Sequence, residues 1–205
     1  MDYRLAFGDV ARLSDDALVK CWLSPELVAA APAGNRRPVW LAGRVLLALL
    51  AEKKALPLLE TGPNGKPQHP ELPHFNISNS ATSVAVLLGD NAVGCDIELL
   101  RPRKRYLAVA QHSFTPELYR WLENLTTDNQ LPAFWKLWTA HEAVVKQQGG
   151  TVWQIPALNL PLETLCPPGR HLIHLCVHNT LIACCGESPF PADFSPELYS
   201  FNAQM

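Results

Sequence analysis

Apolar residues recur at helical spacing in residues 36–54, which predicts the first long helix of the chain. The repeating positions are Val39, Ala42, Leu46, Leu49 and Leu50. Pro38 suits the first turn of this helix, because its missing N–H group would have no partner there. After a proline-rich stretch, residues 75–78 form a predicted strand, and residues 83–88 and 92–98 form the arms of a predicted hairpin.

The same order of elements returns in the second part of the chain. A helix is predicted from Pro132 to the glycines at 149–150, and a strand near residues 157–160 follows it. A second hairpin joins residues 171–178 to residues 181–185. Because a helix and then a hairpin occur twice, we predict an α+β fold. It is a pseudo-symmetric duplication of two helix-plus-antiparallel-sheet halves that pack face to face.

The predicted domain organisation follows this repeat. The N-terminal half spans residues 1–100 and the C-terminal half spans residues 101–190. The second half opens with a basic segment, residues 101–105, and a helical segment through Trp121. Residues 191–205 are rich in proline and serine and form a predicted irregular tail.

Composition narrows the classes of protein that fit. The chain has 205 residues, 48% apolar residues and a formal charge of −2, which excludes global disorder and requires neither nucleic acid nor a membrane surface as partner. The longest apolar run, residues 45–51, is far shorter than the roughly 20 residues of a membrane span. None of the six cysteines forms a Cys-x-x-Cys pair. Reduced thiols in a cytoplasmic protein are therefore expected.

Two acidic residues at the end of a predicted strand are the first candidates for chemistry. Asp96 and Glu98 are two positions apart, so their side chains project to the same face while their neighbours point into the core. Adjacent carboxylates repel unless a cation or proton lies between them, and such oxygen ligands suit Mg²⁺. The alternative is a solvated strand end in which Glu98 pairs with Arg101 or Arg103.

A second charged pair lies on the second predicted helix. Glu142 and Lys146 are four residues apart and share one helix face. An ordinary intrahelical ion pair is one interpretation. However, Trp135, Trp138 and Val145 surround this face with apolar bulk, and a shielded charged pair needs a reason. A third carboxylate with a phosphate-binding lysine is such a reason.

Further basic and polar groups could hold an anion. Arg44 lies on the first helix among apolar neighbours, and Lys66 lies in a turn that fixes its direction. Residues 75–80 end a strand with hydroxyl and amide groups that we expect to be exposed. Taken singly, each of these features also fits an ordinary surface charge or turn.

Taken together, five motifs give the chain a family resemblance. It resembles the 4'-phosphopantetheinyl transferases of the Sfp type, in the AcpT-like branch, with a match that runs in order through most of the chain. The helix motif Trp-Leu-Ala-Gly-Arg, the Gly-Lys-Pro turn, the Phe-Asn-x-Ser strand, the Gly-x-Asp-x-Glu motif and the Trp-Thr-x-x-Glu-Ala-x-x-Lys helix occupy residues 40–44, 65–67, 75–80, 93–98 and 138–146.

The resemblance implies that coenzyme A binds between the two halves. By position, Asp96, Glu98 and Glu142 would gather Mg²⁺ and the pyrophosphate of coenzyme A, and Lys146 would contact the phosphates. The residues that would hold the nucleotide and its 3'-phosphate are Arg37 or its neighbour Arg36, Arg44, Lys66, Ser78 and Asn79.

The implied reaction transfers phosphopantetheine from coenzyme A to a serine of an acyl or peptidyl carrier protein and releases 3',5'-ADP. Positioning and charge neutralisation dominate such a phosphoryl transfer. Glu142, or Glu98 through water, would take the serine proton. Carriers of fatty-acid, polyketide and peptide synthesis are acidic, and residues 101–105 are a candidate docking surface. A solvated basic loop is the alternative there, and an internal duplication favours a monomer.

Two positions depart from the family pattern. Asn79 replaces a histidine but can still donate a hydrogen bond, so we expect roughly tenfold weaker coenzyme A binding. His141 replaces a lysine and points about 100° away from Glu142, which predicts a place at the rim of the site. These departures keep two alternatives open: a drifted, non-catalytic module that binds a carrier or coenzyme A, and a metal-dependent phosphate-ester hydrolase.

Overall fold

The computed structural model describes residues 3–199, apart from the side chain of residue 63. The described residues form the α-helices α1 (Val10–Leu13), α2 (Asp16–Trp22), α3 (Pro25–Ala29), α4 (Arg37–Leu50), α5 (Tyr106–Ser113), α6 (Pro116–Glu123) and α7 (Thr127–Gln147). They also form the strands β1 (Arg4–Asp9), β2 (Glu60–Thr61), β3 (Pro67–Gln68), β4 (His74–Ser80), β5 (Ser83–Gly89), β6 (Gly94–Leu99), β7 (His171–Val177), β8 (Thr180–Gly186) and β9 (Glu197–Tyr199).

Two units with the same strand order confirm the predicted α+β duplication. In each unit a strand precedes a long helix, and a hairpin follows the helix: β1, α4, β4 and β5 in the first, and β6, α7, β7 and β8 in the second. The sheets have the orders β4-β5-β1-β9 and β6-β8-β7. The second arm of the hairpin therefore lies in each case between the first arm and the opening strand.

The core is arranged in four layers. Helix α4 covers the outer face of the first sheet, where Leu46 packs in one cluster with Val86. The inner faces of the two sheets meet around Leu87 and Ile97. Helix α7 covers the outer face of the second sheet, where Val144 packs in one cluster with residues of β8. The two halves thus pack face to face as predicted, because each sheet buries apolar residues on both faces.

The predicted hairpin of residues 83–88 and 92–98 is wrong. Strand β5 pairs with β4 and β1, whereas β6 pairs with β8 of the other sheet. Residues 90–93 carry the chain between the sheets, and the tight turn lies at residues 81–82, where Ala81 has a φ of 51°. The two strands were predicted correctly, but their partners were not. The domain boundary at residue 100 stays a prediction, although the second repeat begins earlier, at Gly94.

The structure confirms one further predicted hairpin and differs from the predictions at three smaller points. The hairpin of β7 and β8 is confirmed, with its turn at residues 178–179. Residues 157–160 form no strand, since prolines flank them and cannot donate to a ladder. Helix α7 begins before Pro132, which the exposed second turn tolerates. In the predicted irregular tail, β9 pairs parallel with β1, and residues 200–205 lie outside the described residues.

Candidate functional site

The site forms where α7 crosses the edge strand β6. Gly94 makes this crossing possible, because a Cβ atom there would collide with the carbonyl oxygen of Ala143 and the backbone nitrogen of Gln147. The helix backbone therefore rests directly on the strand. This close approach places the face of α7 that carries Glu142 and Lys146 beside Asp96.

Asp96, Glu142 and Lys146 form one contact group. The ammonium nitrogen of Lys146 lies 2.6 Å from Asp96 Oδ1 and 3.2 Å from Glu142 Oε2. Ser78 Oγ donates to Asp96 Oδ1 at 3.0 Å and accepts from Lys146 Nζ at 3.3 Å. The Asp96 side chain is 5% exposed and the Glu142 side chain is 14% exposed. These charges are shielded, unlike those of an ordinary surface ion pair.

The carboxylates outnumber the cations in this group. Burial raises the pKa of Glu142 to about 7, and the negative charge of Asp96 adds to the shift. Burial also raises the pKa of Glu98. Burial alone would lower the pKa of Lys146, but the charges of Asp96 and Glu142 outweigh it and raise that pKa. The site therefore favours additional positive charge.

The donor set suits a divalent cation. Within residues 3–199, no three acidic, histidine or cysteine side chains stand close enough together to form a ready metal site. Lys146 lies between two of the acids instead. However, Asp96 Oδ2 is buried and has no hydrogen-bond partner among the described residues. An orphaned carboxylate oxygen in a group with a second, partly buried carboxylate fits the hard-oxygen preference of Mg²⁺.

Glu98 continues the acidic face beyond Asp96. Its Oε2 accepts a hydrogen bond of 2.8 Å from Ser80, so the predicted alternative of an ion pair with Arg101 or Arg103 does not describe its main contact. Arg103 is close enough to lower the pKa of Glu98 by its charge, although burial dominates. The guanidinium of Arg103 packs over three aromatic rings of α7 at 5.3–5.4 Å. A cavity of about 400 Å³ opens between Glu98 and this basic segment.

Lys66 links the turn that carries it to the site. Its ammonium donates to the carbonyl oxygens of Val93 at 2.8 Å and of Lys146 at 3.0 Å. Burial lowers the pKa of Lys66 to about 8. A cavity of about 540 Å³ runs from Lys66 along residues 67–75 to the end of α7. Gln147 lines this cavity, and its buried Oε1 has no partner among the described residues.

The polar groups of β4 divide between two faces. Asn79 is exposed, as predicted, but Asn76, Ser78 and Ser80 are buried against β6, so the expectation of exposed groups is wrong for these three. Asn76 and Ser80 contact β6 directly, and sequence reasoning missed this role. The signal was present, because polar residues at every second position of a strand mark one face.

The predicted nucleotide-binding arginines have local partners. Arg44 packs its guanidinium 3.8 Å from the centre of the Trp40 ring and bonds the Trp40 carbonyl oxygen. Burial lowers the pKa of Arg44 to about 10. Arg37 donates to the carbonyl oxygens of Val28 and Ala31 at the end of α3. Ser78, Asp96, Glu142 and Lys146 are thus in direct contact, whereas Arg37 and Arg44 bond to their own surroundings.

His141 lies in the core and not at the predicted rim. Its side chain is fully buried, and its Nδ1–H group donates to the Leu137 carbonyl oxygen at 2.7 Å. Its ring centre is 4.7 Å from that of Phe114. The rotation away from Glu142 was predicted correctly, but that side of α7 faces Phe114 and not solvent.

We expect His141 to make the fold sensitive to acid. Burial lowers the pKa of His141 from 6.5 to about 4, although its hydrogen bond to Leu137 opposes the shift. Between these values the unfolded chain binds a proton that the folded chain excludes, so stability falls as the pH drops. Through this residue, the free energy of unfolding should decrease by about 2 kcal/mol from pH 7 to pH 5.

Denaturant unfolding at both pH values tests this expectation. His141→Leu should remove that part of the acid destabilisation. His112→Leu, which changes an exposed histidine on α5, should keep all of it. Equal pH dependence in His141→Leu and in the unaltered chain would refute the assignment.

Within residues 3–199, none of the helices combines the length and apolar content needed to cross a bilayer.

A family model of the 4'-phosphopantetheinyl transferase superfamily matches residues 92–173, which include β6 and α7.

Full-length relatives extend the match. The chain is 38% identical to the 4'-phosphopantetheinyl transferase AcpT of Escherichia coli (strain K12) over 191 residues, which cover 92% of each chain. It is 38% identical to AcpT of Salmonella typhi over 92% of this chain and 94% of the relative. It is 30% identical to the 4'-phosphopantetheinyl transferase ffp of Bacillus subtilis over 69% of this chain and 67% of the relative. By its identity to these relatives over most of its length, the chain belongs to the 4'-phosphopantetheinyl transferase superfamily.

Proposed function

We propose that this chain transfers the 4'-phosphopantetheine arm from coenzyme A to a serine of a carrier protein. The serine oxygen forms a bond to the phosphorus that carries the arm. The bond from that phosphorus to the oxygen of the departing 3',5'-ADP breaks, and the serine proton passes to a base of the site. In such a displacement, charge stabilisation and positioning supply most of the rate acceleration.

The ionisable members of the contact group have roles in this proposal. Lys146 offsets negative charge on the pyrophosphate, for which it has to release Asp96. In this proposal Glu142 takes the serine proton, because its carboxylate lies in the contact group beside the lysine that faces the pyrophosphate. Glu98 acting through a water molecule is the alternative base.

The proposal includes a divalent cation, Mg²⁺, held by Asp96, Glu98 and Glu142. The orphaned Oδ2 of Asp96 supports this choice. When bound, the cation would neutralise charge on the attacked phosphate and on the leaving group. Because β6 and α7 of one chain supply all three acids, we propose a monomer as the working unit.

The nucleotide end of coenzyme A would enter the cavity beside Lys66. The partly buried ammonium of Lys66 and the unpartnered Oε1 of Gln147 support a polar ligand there. We retain Ser78, Asn79, Arg44 and Arg37 as proposed nucleotide-binding residues. For Ser78, Arg44 and Arg37, this role requires an exchange of their present partners for phosphate or ribose oxygens.

The single observation that carries the proposal is the partly buried contact group of Asp96, Glu142 and Lys146 in a member of this superfamily. The test incubates the chain with coenzyme A, Mg²⁺ and apo carrier proteins of fatty-acid, polyketide and peptide synthesis. Mass spectrometry should detect one phosphopantetheine arm on at least one carrier, and none on that carrier after its acceptor serine is changed to alanine. Release of 3',5'-ADP without any modified carrier would contradict the proposal.

We also propose that the carrier is acidic and docks on the basic segment. Arg101, Lys104 and Arg105 are exposed, and the cavity beside Glu98 separates them from the site. An acidic helix of the carrier laid along this segment would bring its serine towards Glu98. Complementary charge of this kind speeds association more than it strengthens the final contact.

Charge reversal in this segment should weaken the recognition of the carrier. In Arg101→Glu with Lys104→Glu, we expect the KM for the carrier to rise roughly tenfold or more, while the KM for coenzyme A stays unchanged. Steady-state kinetics at low and high salt measure the effect, which salt should reduce. Lys20→Glu, an exposed change on α2, is the matched control. An unchanged KM for the carrier would exclude this docking surface.

A further inference from the structure

Strands β4 and β6 lie side by side, each at an edge of its own sheet. We call this junction of the two sheets the seam. No backbone ladder joins them among the described residues; side chains of β4 bond the backbone of β6 instead. We call the side chains of Asn76, Ser78 and Ser80 the seam ladder. They accept hydrogen bonds from N–H groups 19 residues further along the chain: Cys95 to Asn76 at 2.8 Å, Ile97 to Ser78 at 3.3 Å and Leu99 to Ser80 at 3.2 Å.

The two serines of the seam ladder also contact the acids. Ser78 Oγ donates to Asp96 Oδ1 at 3.0 Å, and Ser80 Oγ donates to Glu98 Oε2 at 2.8 Å. Each hydroxyl thus accepts a hydrogen bond from a backbone N–H group of β6. It also donates a hydrogen bond to the carboxylate of the residue immediately before that N–H group. Ser78 is 5% exposed and Ser80 is 9% exposed, so water competes little for these bonds. The constant separation of 19 residues aligns β4 with β6. The two serine hydroxyls orient the carboxylates of Asp96 and Glu98.

We infer that Asn76 and Ser80 are positioning residues for the transfer reaction, an inference that rests on the proposed function. Ser80 acts through Glu98, and Asn76 acts through the segment of β6 that leads into Asp96. Neither residue has to touch a substrate. Their contribution follows from geometry, since a displacement of about 1 Å in a reacting group can reduce a rate a hundredfold.

Amide hydrogen exchange tests the seam ladder without reference to activity. In Ser80→Ala, the N–H group of Leu99 loses its acceptor, and its exchange should become at least about tenfold faster. The N–H group of Ile97, bonded to Ser78, should change less. In Asn76→Ala, the accelerated amide should be that of Cys95. Ser83→Ala is the matched control, since Ser83 faces Ser80 across the hairpin but is not part of the seam ladder.

Kinetics of the same variants test the positioning role. In Ser80→Ala we expect kcat to fall roughly thirtyfold, the effect of one lost hydrogen bond to a charged group, while both KM values stay unchanged. Asn76→Ala should reduce kcat less, because Asn76 touches neither acid. Ser80→Thr keeps the hydroxyl and should restore both kcat and the slow exchange of Leu99.

The outcomes separate this inference from the proposed function. Unchanged exchange at Leu99 in Ser80→Ala would show that the seam ladder does not form. Faster exchange with an unchanged kcat would reduce Ser80 to a structural link and overturn the positioning role. If the unaltered chain transfers no arm to any carrier, the proposed function fails together with the positioning role, while the exchange data still decide whether the seam ladder exists.

Discussion

Replacing Asp96 by asparagine is expected to lower kcat for arm transfer roughly a thousandfold. The change keeps the shape of the side chain and removes one negative charge from the buried member of the contact group. Lys146 then keeps Glu142 as its only acidic partner in the group, and the orphaned carboxylate oxygen is lost. The measurement is the rate of carrier modification at saturating coenzyme A and Mg²⁺.

Two further variants decide how the Asp96 result is understood. Asp128→Asn changes an exposed acid in the first turn of α7 and should leave the rate close to that of the unaltered chain. Glu142→Gln should reproduce the loss, because it removes another acid from the same contact group. Near-normal transfer by Asp96→Asn, in a variant with an unaltered unfolding midpoint, would exclude a central role for Asp96.

Replacing Gly94 by alanine is expected to lower the free energy of unfolding by about 3 kcal/mol or more. The added Cβ atom would meet backbone atoms of Ala143 and Gln147, including the Cα atom of Gln147 at 2.9 Å. A helix backbone cannot rotate out of the way as a side chain can, so α7 has to move off β6. That movement separates Lys146 from Asp96, and the surviving folded protein should transfer the arm at least about tenfold more slowly.

Gly43→Ala is the matched control for this prediction. Its Cβ atom would meet Cγ2 of Ile77 at 2.8 Å, which is a side-chain methyl group and not a backbone atom. Alanine also favours the helix more than glycine does, by about 0.5–1 kcal/mol, which offsets part of the crowding. Thermal unfolding and transfer rates of both variants make the comparison. A Gly94→Ala variant as stable and as active as Gly43→Ala would contradict the close crossing of α7 and β6.

Local sequence pattern predicted much of the fold. Helical spacing of apolar residues identified α4, a proline and two glycines at its ends identified α7, and strand and turn signals identified β5 and β6 as strands. Pairing failed at β5 and β6, because a turn-like segment between two strands does not reveal that the chain passes from one sheet to another there. Nothing was predicted for the first 35 residues, although β1 lies inside the first sheet. Its apolar run is short, and β1 is held in the sheet by pairing with β5, a strand distant in sequence.

The candidate site was predictable where chemistry and spacing coincided. The motifs identified Asp96, Glu142 and Lys146, which are in contact in the structure. His141 could not be placed, because a helical angle gives a direction but not what lies there. The buried face of Asn76 and Ser80 was missed for the same reason. Hydroxyl and amide side chains usually indicate an exposed position. They can be buried where a neighbouring edge strand supplies hydrogen-bond partners, and the sequence does not show that strand.

The central claim is that Asp96, Glu98 and Glu142 hold one divalent cation together with coenzyme A at the seam. Anomalous diffraction from crystals grown with Mn²⁺ and coenzyme A tests it most directly. We predict a single strong manganese peak in contact with carboxylate oxygens of these three residues, with Lys146 turned from Asp96 towards a phosphate. Coenzyme A bound at the seam with no manganese peak there, and with Lys146 still between Asp96 and Glu142, would contradict the account.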